Sequence, residues 1–300
     1  MKLSKQRIHF LVLCFVIGFT IAACTKPPRE PTAPPMPPGV VMAEEPVYDG
    51  KTFINTLELP AGPYARFGLP KMTKLVHEKH ALNSDTVAWL KVPNTTIDDV
   101  VVWYPGDRNE YYLRRNFEKR SDFNGIFFAD YRCKFDGTAA GLSKNTVIYG
   151  HSMSDDPLDY RQQFSPLKFF KDEEFARKTP YIYLSTHGED LVFEVFAVMF
   201  ASTRLLYNSP EPEDFNKLIA ECKGRSIYVY DVEVKEGDKI LTLSTCTYSL
   251  PDGRRFPLVT ADNGFRYAVM ARLVTDKQNL KNEADFKINQ NLKAPEFQPA

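Results

Sequence analysis

The chain has 300 residues, of which 43% are hydrophobic, with 38 basic and 38 acidic side chains. That length allows one large domain or two small ones, and the hydrophobic share is enough for a sizeable core, which excludes a wholly disordered chain. The balanced charge gives no electrostatic basis for a nucleic-acid partner, and none is expected.

The first 23 residues are predicted to be an export signal. Lys2, Lys5 and Arg7 precede an apolar run, 8–23, that ends in small residues directly before Cys24. This layout is typical of a lipoprotein signal, in which Cys24 is acylated and becomes the mature N-terminus. The alternative is an uncleaved membrane anchor, for which the run is slightly short. Both interpretations attach the chain to the membrane through its N-terminus and place the rest at the cell surface.

Residues 24–47 are dominated by proline, including Pro34-Pro35 and Pro37-Pro38. Such a stretch cannot build a core and favours extended polyproline II, so we expect a semi-rigid spacer between the membrane and a folded domain. The alternative is a proline-rich ligand for another domain. The folded domain is predicted to span 48–276, and the polar residues 277–300 to form a surface tail.

The domain is expected to open with a helix over Lys71–Leu82. Its apolar residues, Met72, Leu75, Val76 and Leu82, would share one side of the helix.

His77 and His80 lie in this first predicted helix. Two histidines three apart can share a metal ion, but no further ligands cluster around them in the sequence, which favours surface or packing roles.

After this helix the pattern changes to short runs rich in Val, Ile, Phe and Tyr, separated by Gly, Pro, Asn and Asp, which is typical of strands and turns. The predicted strands are 87–92, 99–103, 125–129, 146–149, 181–184, 191–200, 227–234, 239–243 and 265–274. Helices are indicated over 171–178 and around 215–222, where apolar residues recur with helical spacing. Eight or nine short strands with few helices favour a mainly β (α+β) domain that closes into a barrel, because closure removes exposed edges.

Three cysteines, Cys133, Cys222 and Cys246, lie outside the predicted signal. An odd number leaves at least one thiol unpaired in a compartment where disulfides can form. Cys222 falls on the apolar face of the helix predicted around 215–222, which favours a core role. The sequence leaves open whether it pairs with Cys133.

Two predicted strands end at reactive side chains. One passes through Gly150, where the backbone can turn sharply, and delivers His151, while the other ends at Cys246. A cysteine nucleophile needs its thiolate, and a nearby imidazole can take the proton and return it to a leaving amine. Taken singly, such a histidine is more often structural, and such a cysteine is more often a buried hydrophobe.

Three segments resemble sortases of class B. The Thr-Leu-x-Thr-Cys signature of that family is present at 242–246, its Tyr-Gly-His segment at 149–151, and its Arg-aromatic strand at 266–273. The resemblance covers roughly Leu75 to Val274. It implies a closed sortase-type barrel of about eight strands, with an N-terminal helix and a helix inserted before the last strands.

The resemblance also implies roles for single residues. Cys246 would be the nucleophile, His151 its acid/base partner and Arg266 the cation on the oxyanion side, with no metal or other cofactor. Tyr149 and Ser244 match positions that line the substrate in class B, with core packing or a turn hydrogen bond as the alternative. Thr245 directly precedes the nucleophile and would either contact the substrate or simply end the strand.

The position of the arginine departs from the family pattern. Arg266 lies further from Cys246 than is usual in class B, because residues 251–263 look like an insertion, and that insertion supplies Arg254 and Arg255. We prefer Arg266, because the strand that follows it matches the family, whereas Phe256-Pro257 would interrupt a ladder.

The activity implied is that of a cysteine transpeptidase. It would cleave a C-terminal sorting motif after a threonine and transfer the protein to an amine of the peptidoglycan or to a lysine of another surface protein such as a pilin. The alternatives are an exported cysteine peptidase that only hydrolyses and a non-catalytic surface lipoprotein. A papain-like arrangement is disfavoured because His151 precedes Cys246 and both follow strands.

Overall fold

The computed structural model describes residues 70–106, 109–152, 154–158, 163–249, 264–277 and 279–295. The predicted export signal, Cys24, the proline-rich spacer, and Arg254 and Arg255 lie outside these residues. Within the part of the chain so described, no helix has both the length and the apolar character needed to cross a membrane.

Ten strands are found among the described residues. They are β1 (Thr86–Lys91), β2 (Asp98–Trp103), β3 (Phe128–Ala129), β4 (Asn145–Tyr149), β5 (Tyr181–Thr186), β6 (Asp190–Ser202), β7 (Tyr228–Tyr230), β8 (Ile240–Cys246), β9 (Phe265–Leu273) and β10 (Phe286–Ile288). Eight of them form one closed barrel in the order β1-β2-β3-β4-β8-β9-β6-β5, and the pairing of β1 with β5 closes it. The pairs β2–β3 and β4–β8 are parallel. The predicted mainly β barrel of about eight strands is confirmed.

In the described part of the chain, three α-helices accompany the barrel: α1 (Thr73–Leu82), α2 (Glu173–Lys178) and α3 (Phe215–Arg225). A seven-residue 3-10 helix, 165–171, precedes α2. The helices α2 and α3 begin at aspartates whose side chains accept a hydrogen bond from a first-turn backbone N–H, which satisfies an otherwise orphan donor. All three helices were predicted from the sequence.

The apolar side predicted for α1 is only partly correct. Val76 is fully buried, but Leu75 and Leu82 are 36% and 77% exposed. The start of the helix is held instead by Asp190, whose carboxylate accepts hydrogen bonds from the backbone N–H groups of Met72 and Thr73 at 2.9 and 3.2 Å. A polar anchor therefore replaces part of the expected apolar contact.

The core fills the barrel and continues outside it. On β1 the side chains alternate, with Ala88 and Leu90 inside, as expected for a strand with one solvated face. The longer β6 is buried along nearly all its length, because α3 packs against it on the outside. This double coverage explains why 191–200 is apolar at every position except Glu194, which pairs with Arg272 at 3.0 Å.

The predicted surface tail is wrong for residues 286–288. This segment forms β10 and pairs with β7, which lies outside the barrel. Phe286 is 3% exposed, and the Arg177 guanidinium lies 4.2 Å from its ring centroid. A single buried aromatic side chain and a free strand edge are enough to dock an otherwise polar segment.

Two predicted strands are shorter than expected. The run 227–234 contributes only the three residues of β7, and the run 125–129 only the two residues of β3. Gly125 has a φ of +61°, which ends the extended conformation before β3 begins.

The cysteines left open by the sequence are not joined. Cys133 and Cys222 are both buried and both free, and burial raises the pKa of each thiol to about 12.

Candidate active site

Two neighbouring parallel strands carry Cys246 and His151 to the same end of the barrel. The β4–β8 register aligns Tyr149 with Ser244, and each reactive residue lies two positions further along the chain. Two hydrogen bonds tie the strand ends together: Gly150 N donates to Ser244 O at 3.4 Å, and the Thr245 hydroxyl donates to Gly150 O at 2.7 Å. Both reactive side chains are half-buried, so they are supported by the barrel yet reachable.

Gly150 is required by packing rather than by a turn. A Cβ at this position would lie 2.8 Å from the ring of Phe164 and 3.0 Å from that of Phe127. These two rings are buried and stacked, with centroids 4.6 Å apart. The glycine therefore lets the chain run close over the core immediately before His151.

The third predicted residue lies on the next strand. Arg266 is the direct cross-strand partner of Cys246 in the β8–β9 ladder. Its guanidinium also donates to the carbonyl oxygen of Phe265 at 2.9 Å. Adjacent strands thus bring His151, Cys246 and Arg266 to one end of the barrel.

The imidazole of His151 is held by a backbone carbonyl. Its Nε2 lies 2.6 Å from Leu113 O, and because a carbonyl oxygen only accepts, Nε2 carries the proton and Nδ1 is the acceptor of the neutral ring. Burial lowers the pKa of His151, and the nearby positive charge of Arg114 lowers it further, partly opposed by the Leu113 hydrogen bond. The neutral ring, which can accept a proton, is therefore favoured near pH 7.

Tyr149 is fixed from behind by a charged network. Its hydroxyl donates to Asp130 Oδ2 at 2.9 Å. Asp130 also receives two hydrogen bonds from the guanidinium of Arg132, at 2.9 and 3.0 Å. Burial acts to raise the pKa of Asp130, but these bonds outweigh it and the pKa is lowered. The aspartate is thus a charged anchor that orients the Tyr149 ring.

The other two predicted substrate-lining residues face the protein interior. Ser244 is 1% exposed, and its hydroxyl lies 2.8 Å from that of Tyr207. Thr245 is 3% exposed and bonds to Gly150 O. For both residues the geometry favours the structural alternative over a substrate contact.

Three residues near the site, Leu113, Arg114 and Lys168, were not predicted from the sequence. Leu113, which accepts the hydrogen bond of His151, lies 38 positions earlier in the chain, and its neighbour Arg114 acts on the same ring through its charge. No local sequence pattern links either residue to His151. Lys168 is also buried at this end of the domain. Its signal was a lysine within the apolar run 166–170, where a charge is unusual.

A third histidine packs against the two histidines of α1. The ring of His187 contacts those of His77 and His80, with centroids 5.0 and 4.5 Å apart. Each of the three rings bonds to a backbone carbonyl. Across the described ranges, no group of three or more His, Cys, Asp and Glu side chains is arranged to hold a metal ion.

A family model for the sortase domain matches residues 90–274, more than half of the chain. The chain belongs to the sortase family. Over 168 residues this sortase is 34% identical to sortase B of Listeria monocytogenes, an alignment that covers 55% of this chain and 64% of that protein. The chain therefore spans less than two thirds of the length of that curated relative.

Solved structures support the same family and a class B-like domain. The structure of sortase B from Clostridium perfringens matches with a TM-score of 0.54 and 27% identity, over 66% of this chain and 98% of that one. A substrate complex of Staphylococcus aureus sortase B matches with a TM-score of 0.55 and 24% identity, over 67% of this chain and 85% of that one. The second match shows a shared fold.

Proposed function

We propose that this sortase is a class B-like cysteine transpeptidase with Cys246 as nucleophile, His151 as acid/base residue and Arg266 as the oxyanion-side cation. The observation that carries the proposal is the convergence of three adjacent strands at one barrel end: Cys246 lies on β8, Arg266 on β9, and His151 two residues beyond the end of β4. The family match supports the reaction class, and the substrate complex of the S. aureus protein supports a peptide substrate.

The proton follows one path in the first half of the reaction. Neutral His151 takes the proton of the Cys246 thiol, and the thiolate attacks the carbonyl carbon of a threonine in the sorting peptide. The C–S bond forms and negative charge develops on the oxygen. Arg266 then stabilises this oxyanion, and one such donor lowers the activation barrier by about 3 kcal/mol. His151 returns the proton to the departing amine as the C–N bond breaks.

The second half uses the same groups in reverse. The thioester keeps the acyl potential of the peptide bond, so an incoming amine can attack without further energy input. His151 removes a proton from this amine, the new C–N bond forms, and the C–S bond breaks. The proton finally returns to the sulfur of Cys246. A guanidinium suits Arg266 because it stays charged at any working pH.

The partners and the location are part of the same proposal. The acceptor is an amine of the peptidoglycan or a lysine of another surface protein. The protein acts at the outer face of the cytoplasmic membrane, held through Cys24 or an uncleaved anchor, with the spacer 24–47 between the membrane and the catalytic domain. Tyr149 lines the peptide groove, and the buried residues Ser244 and Thr245 shape it from behind.

Peptide cleavage tests the proposal. The full chain, purified in detergent, should cleave a quenched fluorescent peptide that contains Thr-Gly or Thr-Asn, and the Cys246→Ala variant should not. Activity that persists in Cys246→Ala would refute the nucleophile assignment. Adding an amine acceptor and weighing the products by mass spectrometry separates transfer from hydrolysis, because only a transpeptidase forms the acceptor adduct.

A further inference from the structure

A buried ion pair lies behind the strand ends that carry the reactive residues. The side chain of Lys168 is fully buried, and its Nζ lies 3.1 Å from Asp155 Oδ1. The same ammonium donates to Ser152 Oγ at 3.0 Å and to Ser154 O at 3.1 Å. Three polar partners thus match its three donors, and the ammonium ties the 3-10 helix 165–171 to the segment directly after His151.

Asp155 connects this segment to the residues directly after Cys246. Its Oδ1 accepts a hydrogen bond from the Thr247 hydroxyl at 3.0 Å. The backbone N–H of Tyr248 lies 3.2 and 3.1 Å from the two carboxylate oxygens. In return, the Tyr248 hydroxyl donates to Ser152 O at 3.2 Å. The chain leaving β8 is therefore bonded to the chain leaving β4.

These contacts occur just beyond the last residue pair of the β4–β8 ladder. The last β4–β8 pair is Tyr149 with Ser244, so the pairing of these two strands stops before His151 and Cys246. Ser152 and Thr247, the next residues along each chain, are completely buried. Along the chain, His151 and Cys246 thus lie between the last β4–β8 pair and the residues that Lys168 and Asp155 hold, Ser152 and Thr247.

We propose that Lys168 and Asp155 are positioning residues that fix the Cys246 sulfur relative to the His151 imidazole, an inference that rests on the proposed function. They contact neither reacting atom directly. Instead, Lys168 holds Ser152, the residue after His151, and Asp155 holds Thr247, the residue after Cys246. A displacement of about 1 Å between reacting groups can cost roughly a hundredfold in rate, so losing the pair should slow the chemistry and leave peptide binding largely intact.

The charges around the pair agree with this role. Burial lowers the pKa of Lys168 to about 8, although Asp155 opposes the shift; Lys171 and Cys246 also act on it. The ring of Tyr267, on β9, lies 5.9 Å from Nζ. Burial acts to raise the pKa of Asp155, but the Lys168 charge outweighs it and the pKa is lowered. Near pH 7 the pair is therefore charged, and it loses the lysine charge above about pH 8.

Activity and stability should then change in opposite directions at alkaline pH. Because the folded-state pKa of Lys168 lies below its usual value of 10.5, the unfolded chain binds more protons between about pH 8 and 10.5, and this group makes stability rise with pH there. Positioning, in contrast, weakens as Lys168 loses its charge. A residue with only a structural role would not lower kcat while stability rises.

The central experiment measures kcat and KM for peptide cleavage by the full chain and three variants. Lys168→Met keeps the length and apolar stem of the side chain and removes the charge, and Asp155→Asn keeps the shape of the carboxylate. We expect each to lower kcat about tenfold to a hundredfold and to change KM less than about twofold. The matched control is Lys178→Met with Glu174→Gln, an exposed pair at 2.7 Å on α2, which should leave both constants unchanged.

A double variant separates positioning from folding. Removing one partner leaves the other charge buried, whereas Lys168→Met with Asp155→Leu removes both charges and can restore stability. We expect a urea midpoint close to that of the unmodified chain and a kcat still lowered at least about tenfold. If the double variant does not fold, Thr247→Val tests the positioning role instead, because it removes only the hydroxyl that donates to Asp155. This variant should lower kcat with little change in KM.

Two results would overturn the inference. One is an unchanged kcat in the folded double variant or in Thr247→Val. The other is a loss of kcat that matches the unfolded fraction of each variant. Failure of the proposed function looks different, because cleavage would then survive in Cys246→Ala or be absent from the unmodified chain.

Discussion

Cys246 lies directly opposite Arg266 in the antiparallel ladder between β8 and β9. Directly opposed residues in such a ladder have Cβ atoms about 4.5–5.5 Å apart and project from the same face of the sheet. The guanidinium can therefore reach a negative charge that develops beside the sulfur. The relationship holds although residues 251–263 separate the two strands in sequence, because the ladder and not the chain distance sets the neighbours.

Replacing Arg266 should slow the chemical step. We expect Arg266→Ala to lower kcat for peptide cleavage by about 10²–10³, the usual cost of one oxyanion donor. Arg266→Lys should recover part of the rate, since it keeps the charge and loses the planar fork. Arg255→Ala is the control and should be as active as the unmodified chain. A loss confined to Arg255→Ala would show that the oxyanion arginine has been assigned to the wrong position.

The acid side of the pH–activity profile should report His151. Burial and then Arg114 lower the pKa of this imidazole below 6.5, so kcat/KM should begin to fall only at a pH below that value. The same shift makes the stability of the fold depend on pH, because the unfolded chain binds more protons than the folded one between the lowered pKa and 6.5. This group therefore makes the fold less stable as the pH falls through that window.

A charge substitution tests the cause of this shift. Arg114→Gln removes a positive charge that disfavours the imidazolium, so the acid limb of kcat/KM should move to higher pH. Arg120→Gln is the matched control: Arg120 is exposed and pairs with Glu118 at 3.6 Å, and its loss should leave the limb in place. The cause assigned to the shift would be wrong if both variants moved the limb equally, or if neither did.

Most of the barrel could be predicted because its strands obey local rules. Alternation on β1, and the β-branched and aromatic runs of β6 and β9, each identify a strand without knowledge of its partner. The ends of β4 and β8 were also readable, since polar reactive residues follow apolar runs. The lengths of the short strands β3 and β7 could not be predicted, because only the residues that pair with a neighbouring strand adopt the strand structure.

The surroundings of the site were harder to predict because they depend on contacts between distant segments. The carbonyl of Leu113 that holds His151, and the Asp155 carboxylate that holds Thr247, are each made by the tertiary fold. The role of Gly150 was predicted as a turn, yet the reason for the glycine is the stacked rings beneath it. Reactive groups can be predicted from the local sequence, whereas the groups that hold them come from segments far apart in the chain.

The packing beneath Gly150 predicts a specific loss of stability. In Gly150→Ala the new methyl group would lie 2.8 Å from the Phe164 ring, which is stacked on Phe127 and cannot swing away. Overpacking of this kind lowers the free energy of unfolding by about 1–3 kcal/mol, measurable by urea denaturation. Adding Phe164→Leu should recover part of the loss.

The control for this substitution is another glycine. At Gly224, near the end of α3, a Cβ would meet only the flexible side chain of Lys293 at 3.2 Å. Replacing a helical glycine by alanine typically stabilises by about 0.5–1 kcal/mol, so Gly224→Ala should match or exceed the unmodified chain in stability. Equal stability of the two alanine variants would contradict the steric argument.

The docked segment near the C-terminus gives the last prediction. Phe286 is 3% exposed, and its ring lies 4.4 and 4.9 Å from those of Tyr228 and Tyr230. Phe286→Ala should therefore lower the free energy of unfolding by about 3–5 kcal/mol, the range for buried phenylalanines. Ile288 lies on the same strand but is 54% exposed, so Ile288→Ala should stay within about 0.5 kcal/mol. If β10 were only a surface tail, urea denaturation would show the same small change in the free energy of unfolding for both variants, because neither side chain would lose a buried contact.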